Sequence, residues 1–276
     1  MSSVAEGIAD LLARHRLDPS KALGQNFVTD PEVISEIVRL SGVVEGSDVL
    51  EVGPGLGSLT SALAASGAHV LAVEKDERLL AVLREVVAER HHDTVELVHA
   101  DALAANWAEL LGAGRWRMVS NLPYNVAVPI LLRLLAEAPM VDSMWAMVQL
   151  EVAQRLCAGA GGRTIGVPSI KVDWYADARI VLMVEPHSFT PVPRVRSAVV
   201  ELRRTEAPRD DVGPGEVFAL VETAYRKRRK MLRSSLAGMV TPEQMLAAGV
   251  EPTARPEELD VNQWAALAAS RAGTLR

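Results

Sequence analysis

Short apolar runs alternate with longer stretches of helical periodicity along most of the chain. D-V-L-E-V-G (48–53) is a brief apolar run that ends in glycine, and S-L-T-S-A-L-A-A-S-G (58–67) repeats apolar residues at helical spacing until Gly67. H-V-L-A-V-E-K-D (69–76) reads as a second strand and E-R-L-L-A-V-L-R-E-V-V-A-E-R (77–90) as a second helix. T-V-E-L-V-H-A-D (94–101) reads as a third strand. R-W-R-M-V-S-N (115–121) reads as a fourth, with a helix from about Val128 to Glu137 after it. S-M-W-A-M-V-Q-L (143–150) reads as a fifth, leading into a helix around L-E-V-A-Q-R-L-C-A (150–158). Strands and helices alternating at these lengths predict βαβ units and a parallel sheet. Residues 179–184 and 197–203 predict two further strands.

The pattern changes after Arg204. T-E-A-P-R-D-D-V-G-P-G-E (205–216) has the proline, glycine and aspartate content of a linker. Beyond it only helical periodicity remains, in 217–238, 241–249 and 255–273. Thr241 before Pro242 predicts an N-cap followed by proline in the first helical turn. The expected organisation is an α/β Rossmann-like domain over residues 1–205 and a small all-helical domain over 206–276. No internal repeat or long low-complexity tract is present.

Composition narrows the class. At 276 residues and 49% hydrophobic, the chain can bury a sizeable core. No apolar run reaches bilayer-spanning length. The N-terminal stretch alternates charged and apolar residues at helical spacing and lacks a signal peptide's uninterrupted apolar segment, so a cytoplasmic location and no membrane partner are expected. Cys157 is the only cysteine, which excludes an internal disulfide; within a helix and far from any histidine in sequence, it reads as an inert thiol. His91 and His92 follow a helix with no cysteine or carboxylate at ligand spacing, so no metal site is expected. The net charge is −6, but its distribution says more: residues 1–150 carry 20 acids and 11 bases, and residues 151–276 carry 15 acids and 18 bases. A basic second half suggests an anionic partner there.

Candidate chemistry begins at L-E-V-G-P-G-L-G-S-L-T (50–60). Its Gly53, Gly55 and Gly57 lie between a strand and a helix, where glycines permit a tight turn and close approach of backbone to ligand. Glu74 ends the next strand 21 residues after Gly53, the place for a carboxylate that accepts from ribose hydroxyls. The loop is not G-x-G-x-x-G, which disfavours a dinucleotide. Asp101, after the third strand, suits the exocyclic amine of a bound adenine. A ribose acid and an adenine acid without a phosphate loop fit S-adenosyl-L-methionine, whose sulfonium the acidic front half tolerates.

The fourth strand runs into S-N-L-P-Y-N-V-A-V-P-I-L (120–131). Asn121 offers a side-chain acceptor. Pro123 favours extended backbone at Leu122, which aims the Leu122 carbonyl outward as a second acceptor, and Tyr124 supplies a stacking face. Two acceptors and a ring match the amino group of a planar base. Such an amine is a poor nucleophile because its lone pair is delocalised into the ring; held by two acceptors, it is drawn toward tetrahedral geometry.

These segments, with K-A-L-G-Q-N-F-V-T-D, F-T-P-V-P-R-V-R-S-A-V-V-E-L and R-K-R-R-K-M-L-R-S-S-L in the same order, closely resemble the KsgA/RsmA family of ribosomal RNA adenine dimethyltransferases, from about Lys21 to Leu236. The resemblance implies a class I methyltransferase sheet and dimethylation of two adjacent adenosines near the 3′ end of small-subunit (16S) ribosomal RNA. It implies that Gln25 and Asn26 lie over the cofactor and that Gly53 sits in the methionine-binding loop. Glu74 would hold the ribose, Asp101 the cofactor adenine, and Asn121 would bridge cofactor and target. Val28, Glu51, Gly55, Lys75 and Ala102 complete the implied cofactor contacts. Asn121, Leu122, Tyr124 and Phe189 form the implied catalytic set, with Phe189 as the wall of the target-base pocket opposite Tyr124. Arg196, Met231 and Ser234 depart from residues common in the family, where Asp, Thr and Asn are usual. They put fine RNA contacts in question and leave the chemistry intact.

Arg226, Lys227, Arg228, Arg229, Lys230 and Arg233 form a run of six bases without an acid, expected to contact phosphate. Arg194, Arg196, Arg203 and Arg204 could extend the same positive surface. Such contacts position RNA without reading its sequence. The expected partner is the small ribosomal subunit, met by a monomer. Rival readings are a macrolide-resistance-type methyltransferase acting on large-subunit RNA, a DNA adenine methyltransferase, and a ribosome-assembly factor whose methylation is incidental. The full N-L-P-Y-N and the 189–200 segment favour the small-subunit enzyme, and an intact Glu74, Asp101 and Asn121 argues for retained catalysis.

Overall fold

The computed structural model describes residues 4–17, 25–90 and 93–272. The start of the K-A-L-G segment (Lys21–Gly24) and the pair His91 and His92 lie outside the described residues. The strands are β1 (Phe27–Val28), β2 (Asp48–Val52), β3 (His69–Glu74), β4 (Val95–His99), β5 (Trp116–Asn121), β6 (Val141–Gln149), β7 (Ala176–Val184), β8 (Phe189–Thr190) and β9 (Ser197–Arg204). The helices are α1 (Val4–Arg14), α2 (Pro31–Ser41), α3 (Ser58–Ala65), α4 (Glu77–Arg90), α5 (Trp107–Leu111), α6 (Ala127–Glu137) and α7 (Leu150–Leu156). They continue with α8 (Val167–Tyr175), α9 (Pro214–Tyr225), α10 (Leu232–Ser235), α11 (Pro242–Ala247) and α12 (Val261–Ala272).

Seven strands form one sheet in the order β4-β3-β2-β5-β6-β9-β7. β2 pairs in parallel with both β3 and β5, β3 with β4 and β5 with β6, while β9 runs antiparallel to β6. The predicted parallel sheet is present. Its central strands are apolar on both faces because helices cover both: Val49, Val70, Val119 and Met147 pack with Ile34, Ile37, Leu59 and Leu63 in one buried cluster. α4 and α6 lie against β4 and β6. Strand order reverses direction between β2 and β5, and in such sheets ligands bind at the carboxyl ends of the strands beside that switch point. β2 and β5 pair only as far as Leu50 and Met118. Beyond that, the buried Ser120 hydroxyl accepts the Val52 N–H at 2.9 Å, which closes the ladder while the tips diverge.

A separate two-stranded sheet pairs β1 with β8, Phe27 opposite Thr190 and Val28 opposite Phe189. Two-residue strands carry too little pattern for sequence to predict, and neither was expected. Helix α2 was also not anticipated, although Asp30 caps it by accepting the Glu32 N–H at 3.0 Å, Pro31 starts it and Gly42 ends it in the left-handed region.

The described chain forms two compact units, Met1–Ala153 with Arg179–Arg203, and Gln154–Ala178 with Arg204–Arg276. The break at Arg203/Arg204 lies beside the expected boundary at 205, but residues 154–178 group with the helical unit. Residues 154–178 fall in the helical unit because Ile165, Ile170 and Trp174 belong to its buried core, with Val217, Leu220, Leu232 and Trp264. Trp174 and Tyr175 set their rings edge-on to Phe218, and Lys171 pairs with Glu222 at 2.7 Å. Helix α8 carries Val167, Pro168, Ile170 and Val172 but has no interrupted polar face to announce it. Cys157 is a partly buried free thiol whose pKa burial pushes up to about 11. Thr241 caps α11 as predicted: its hydroxyl accepts the Gln244 N–H at 3.2 Å and the Gln244 side chain returns the bond.

Two helical expectations are corrected. The 217–238 stretch is not one helix: α9 stops at Tyr225 and the basic run forms turns, with Lys230 N–H bonding to the Lys227 carbonyl at 2.7 Å. No apolar residue follows Tyr225 until Met231, so no stripe remains to hold helix against the core, and like charges on successive turns repel. Likewise 255–260 is a short 3₁₀ turn at Pro256–Glu258, and α12 begins only at Val261.

Candidate active site

A cavity of about 410 Å³ opens at the carboxyl ends of β2, β3 and β5, within the sheet unit. Gln25, Asn26 and Val28 line it from the N-terminal segment, and Glu51, Gly53 and Gly55 from β2 and the loop after it. Glu74 and Lys75 line it from β3, Asp101 and Ala102 from the loop after β4, and Asn121 and Leu122 from β5. The residues expected at the cofactor are thus brought to one space from separate elements.

The glycine loop is built for contact. Gly53 and Gly55 have φ of +70° and +58°, where side-chain-bearing residues are strained. A Cβ on Gly53 would stand 3.2 Å from Pro123 Cδ, and one on Gly55 would stand 2.7 Å from Phe27 Cε1. The loop therefore touches both the N-L-P-Y turn and β1.

Glu74 is buried, with 7% of its surface exposed. One carboxylate oxygen accepts the Gly55 N–H at 3.2 Å and the other the Asp76 N–H at 2.8 Å. Burial raises its pKa, opposed by those backbone donors. Asp101 lies at the rim, where Lys75 Nζ at 2.8 Å holds its pKa down and the Leu103 N–H donates at 2.9 Å. Asp76 is held low by Arg78, whose guanidinium grips it at 2.7 Å, and also accepts from Gln25 Nε2 at 3.4 Å.

Asn121 ends β5 and donates Nδ2–H to the Asn26 carbonyl at 2.8 Å. That bond fixes the amide, so Oδ1 is the atom left to accept from a ligand. The adjacent Leu122 is buried, and its N–H bonds to the Met147 carbonyl at 3.2 Å. The half-buried Tyr124 is tethered by a 2.7 Å bond between its hydroxyl and Ser197 Oγ on β9.

Neither Tyr124 nor Phe189, the two expected walls of the target-base pocket, lines this cavity. Phe189 is 1% exposed and belongs to the hydrophobic cluster with Val28, Ile34, Ile37 and Val199. It pairs with Val28 where β8 meets β1.

Several participants were missed by sequence reasoning. Arg133 donates to the carbonyls of Ala102 at 2.9 Å and Ala105 at 2.7 Å, clamping the loop that carries Asp101. Its signal was available: it is the only charge between Ala127 and Ala136 in an otherwise apolar helical run. Ser197, Ser120 and Asp76 act through long-range or capping contacts that leave no local pattern.

The six basic residues at 226–230 and 233 are all exposed. Arg228 also faces Glu257 at 3.7 Å and donates to the Arg163 carbonyl at 3.3 Å. Arg194, Arg196 and Arg203 fall in the sheet unit and Arg204 in the helical unit. Arg203 is engaged by Glu201 at 2.7 Å and by the Trp145 ring, and Arg196 stands 4.0 Å from Glu185.

The cavity fits the donor expected from sequence. Its acids outnumber its bases, and it holds an orphaned buried atom, Glu51 Oε2, which makes no hydrogen bond. A cationic, hydrogen-bonding ligand answers both features. Among the described residues no group of three or more His, Cys, Asp or Glu is placed to hold a metal ion, and no helix is long and apolar enough to cross a membrane.

Comparison with known proteins agrees with this geometry. The chain is 47% identical to the "Ribosomal RNA small subunit methyltransferase A" of Kineococcus radiotolerans, over 99% of this chain and 92% of that protein. Its structure resembles the 23S rRNA methyltransferase ErmE (TM-score 0.69, 27% identity, covering 89% of this chain and 99% of that one). It shares a fold with a dimethyladenosine transferase from Plasmodium falciparum (TM-score 0.73, 20% identity, covering 86% and 94%). The model of the family described as "Ribosomal RNA adenine dimethylase" matches residues 18–272, so with its class I methyltransferase sheet the chain belongs to that family.

Proposed function

We propose that the protein dimethylates the exocyclic amines of two adjacent adenosines near the 3′ end of 16S ribosomal RNA, using S-adenosyl-L-methionine, during small-subunit biogenesis. The observation that carries the chemistry is the Asn121 amide, locked by the Asn26 carbonyl on the wall of an acid-lined cavity. The 47% identity to a small-subunit methyltransferase, against 27% to a 23S enzyme, supports the choice of subunit.

When bound, S-adenosyl-L-methionine supplies an electrophilic methyl on its sulfonium. Glu74 and Asp101 are proposed to bind its ribose and adenine, and the Arg133 clamp keeps Asp101 in register. Asn121 Oδ1 accepts one N–H of the target amine, and the Leu122 carbonyl is the proposed second acceptor. Together they localise the nitrogen lone pair toward the methyl, so catalysis rests on positioning and preorganised acceptors. No side chain need act as base, because the amine proton leaves to solvent after transfer. Tyr124, held by Ser197, is proposed to stack on the extruded base, which offsets part of the few kcal/mol of extrusion with roughly 1–3 kcal/mol. Arg226, Lys227, Arg228, Arg229, Lys230 and Arg233 are proposed to neutralise phosphates. The protein is proposed to act as a cytoplasmic monomer, and light scattering on the free protein tests its oligomeric state.

The test is methyl transfer from labelled S-adenosyl-L-methionine to purified small and large subunits lacking the modification. Label as dimethyladenosine in small-subunit RNA is expected; label confined to the large subunit would overturn the proposed substrate. Asn121→Ala should abolish transfer and leave RNA affinity near that of the wild type.

A further inference from the structure

Glu51 stands apart from the other acids of the cavity. It is 1% exposed, and its Oε2 has no hydrogen-bonding partner. The Thr60 hydroxyl, on the first turn of α3, is near enough to lower its pKa somewhat, yet neither atom makes a bond of ordinary geometry. From β3 it faces Glu74, which is also acidic. On the β5 side the groups are uncharged: Ser120 is bound to the Val52 N–H and Asn121 to Asn26. The bases lining or flanking the cavity are engaged elsewhere: Lys75 with Asp101, Arg78 with Asp76, and Arg133 with two backbone carbonyls and Glu137. Among the described residues, then, no cation reaches Glu51, and its one charged neighbour disfavours ionisation. Burial does the same, raising its pKa to about 8.

From this arrangement we infer that cofactor capture is linked to a proton: Glu51 carries its proton in the free protein and releases it to solvent when the cationic cofactor enters. The inference rests on the cofactor reading above. No covalent bond other than the O–H is broken, and the ligand's positive charge replaces the lost proton beside the carboxylate. S-adenosyl-L-homocysteine, the demethylated product, keeps the α-ammonium but lacks the sulfonium and so the net positive charge, and should drive the release less. Glu51 therefore helps the site prefer methyl donor over spent product, and increasingly so as the pH rises toward its titration.

Isothermal titration calorimetry of the wild-type protein in buffers of different ionisation enthalpy counts the protons directly. With its pKa raised to about 8, Glu51 is mostly protonated at pH 7, so release approaching one proton per bound S-adenosyl-L-methionine is expected. The dissociation constant should fall roughly tenfold from pH 6 to pH 7, because binding and deprotonation are linked. Glu51→Gln should flatten that dependence and remove the proton release. Infrared difference spectroscopy gives a check without a variant: the carbonyl band of a protonated carboxyl should disappear when the cofactor is added. Cofactor binding without proton release, release that persists in Glu51→Gln, or equal release by S-adenosyl-L-homocysteine would each overturn the inference while leaving the cofactor reading intact. No binding of S-adenosyl-L-methionine at any pH would overturn both.

Discussion

Replacing Gly55 by alanine tests whether the cavity is shaped by contact between the glycine loop and β1. Two costs add. Gly55 has φ of +58°, and a Cβ in the left-handed region costs about 1–2 kcal/mol. That Cβ would also lie 2.7 and 2.8 Å from Phe27 Cε1 and Cδ1, and Phe27 is itself buried against Ile8, Leu56 and Leu79. Overpacking at such a site costs about 1–3 kcal/mol. The expected loss is therefore about 2–5 kcal/mol, a large share of ordinary domain stability. Urea denaturation should show it as a lower midpoint with little change in slope. A double-mutant cycle with Phe27→Ala separates the two costs. With the ring gone, Gly55→Ala should cost only the backbone part, about 1–2 kcal/mol. An equal cost in both backgrounds would show that the ring is not the obstacle. A wild-type midpoint for Gly55→Ala, with unchanged cofactor affinity, would refute the geometry altogether.

Three other expectations concern the same unit. Tyr124→Phe loses the Ser197 bond but keeps the ring, so methyl transfer should fall less than tenfold; Tyr124→Ala loses the stacking face and should fall roughly 5- to 150-fold, the equivalent of about 1–3 kcal/mol in single-turnover assays. Arg133→Met frees the Ala102 and Ala105 carbonyls and should weaken cofactor binding roughly 10- to 100-fold by calorimetry, about the worth of one of its two charge-assisted bonds (about 1.5–3 kcal/mol); Glu137→Gln should leave it nearly unchanged. The third concerns stability against pH. The pKa of Glu51 is raised in the folded state, so its contribution is fully present below the unfolded value of 4.5 and is lost as pH rises toward about 8. Glu51→Gln should thus stabilise the ligand-free protein at pH 8 relative to wild type, with the advantage vanishing at pH 4 in denaturant melts.

The sheet was legible because its parallel strands are short apolar runs, several closed by glycine or acid, and its helices repeat at their own period. Glu74, Asp101 and Asn121 were legible for the same reason: they stand at or just past strand ends, and parallel strands place those ends along one edge of the sheet. What escaped was what depends on partners far along the chain. The burial of Phe189 in F-T-P-V-P is one case, since it depends on pairing opposite Val28. The basic run looked helical because periodicity around it is helical; the absence of any apolar anchor between Tyr225 and Met231 was the overlooked signal. Arg133 could have been suspected as a lone charge in an apolar helix, but its carbonyl targets lie 31 and 28 residues away.

The path of the chain between its two units limits how the protein can be taken apart. It leaves the sheet unit after Ala153, returns at Arg179 and leaves again after Arg203. A fragment starting at residue 206 would lack Ile165, Ile170 and Trp174, and with them part of the apolar core that Val217 and Trp264 close. It should be poorly ordered, with its aromatic surface open to water, whereas a circularly permuted chain keeping 154–178 joined to 204–276 restores a complete core. The same threading bears on synthesis. β9, which pairs with β6 across Gln149 and Ser197, emerges from the ribosome only after 154–178, so this antiparallel pairing closes late. Until then β6 presents an unpaired apolar edge to its surroundings. For nascent chains of this protein, the interval between residues 149 and 204 is therefore a window of exposure to aggregation.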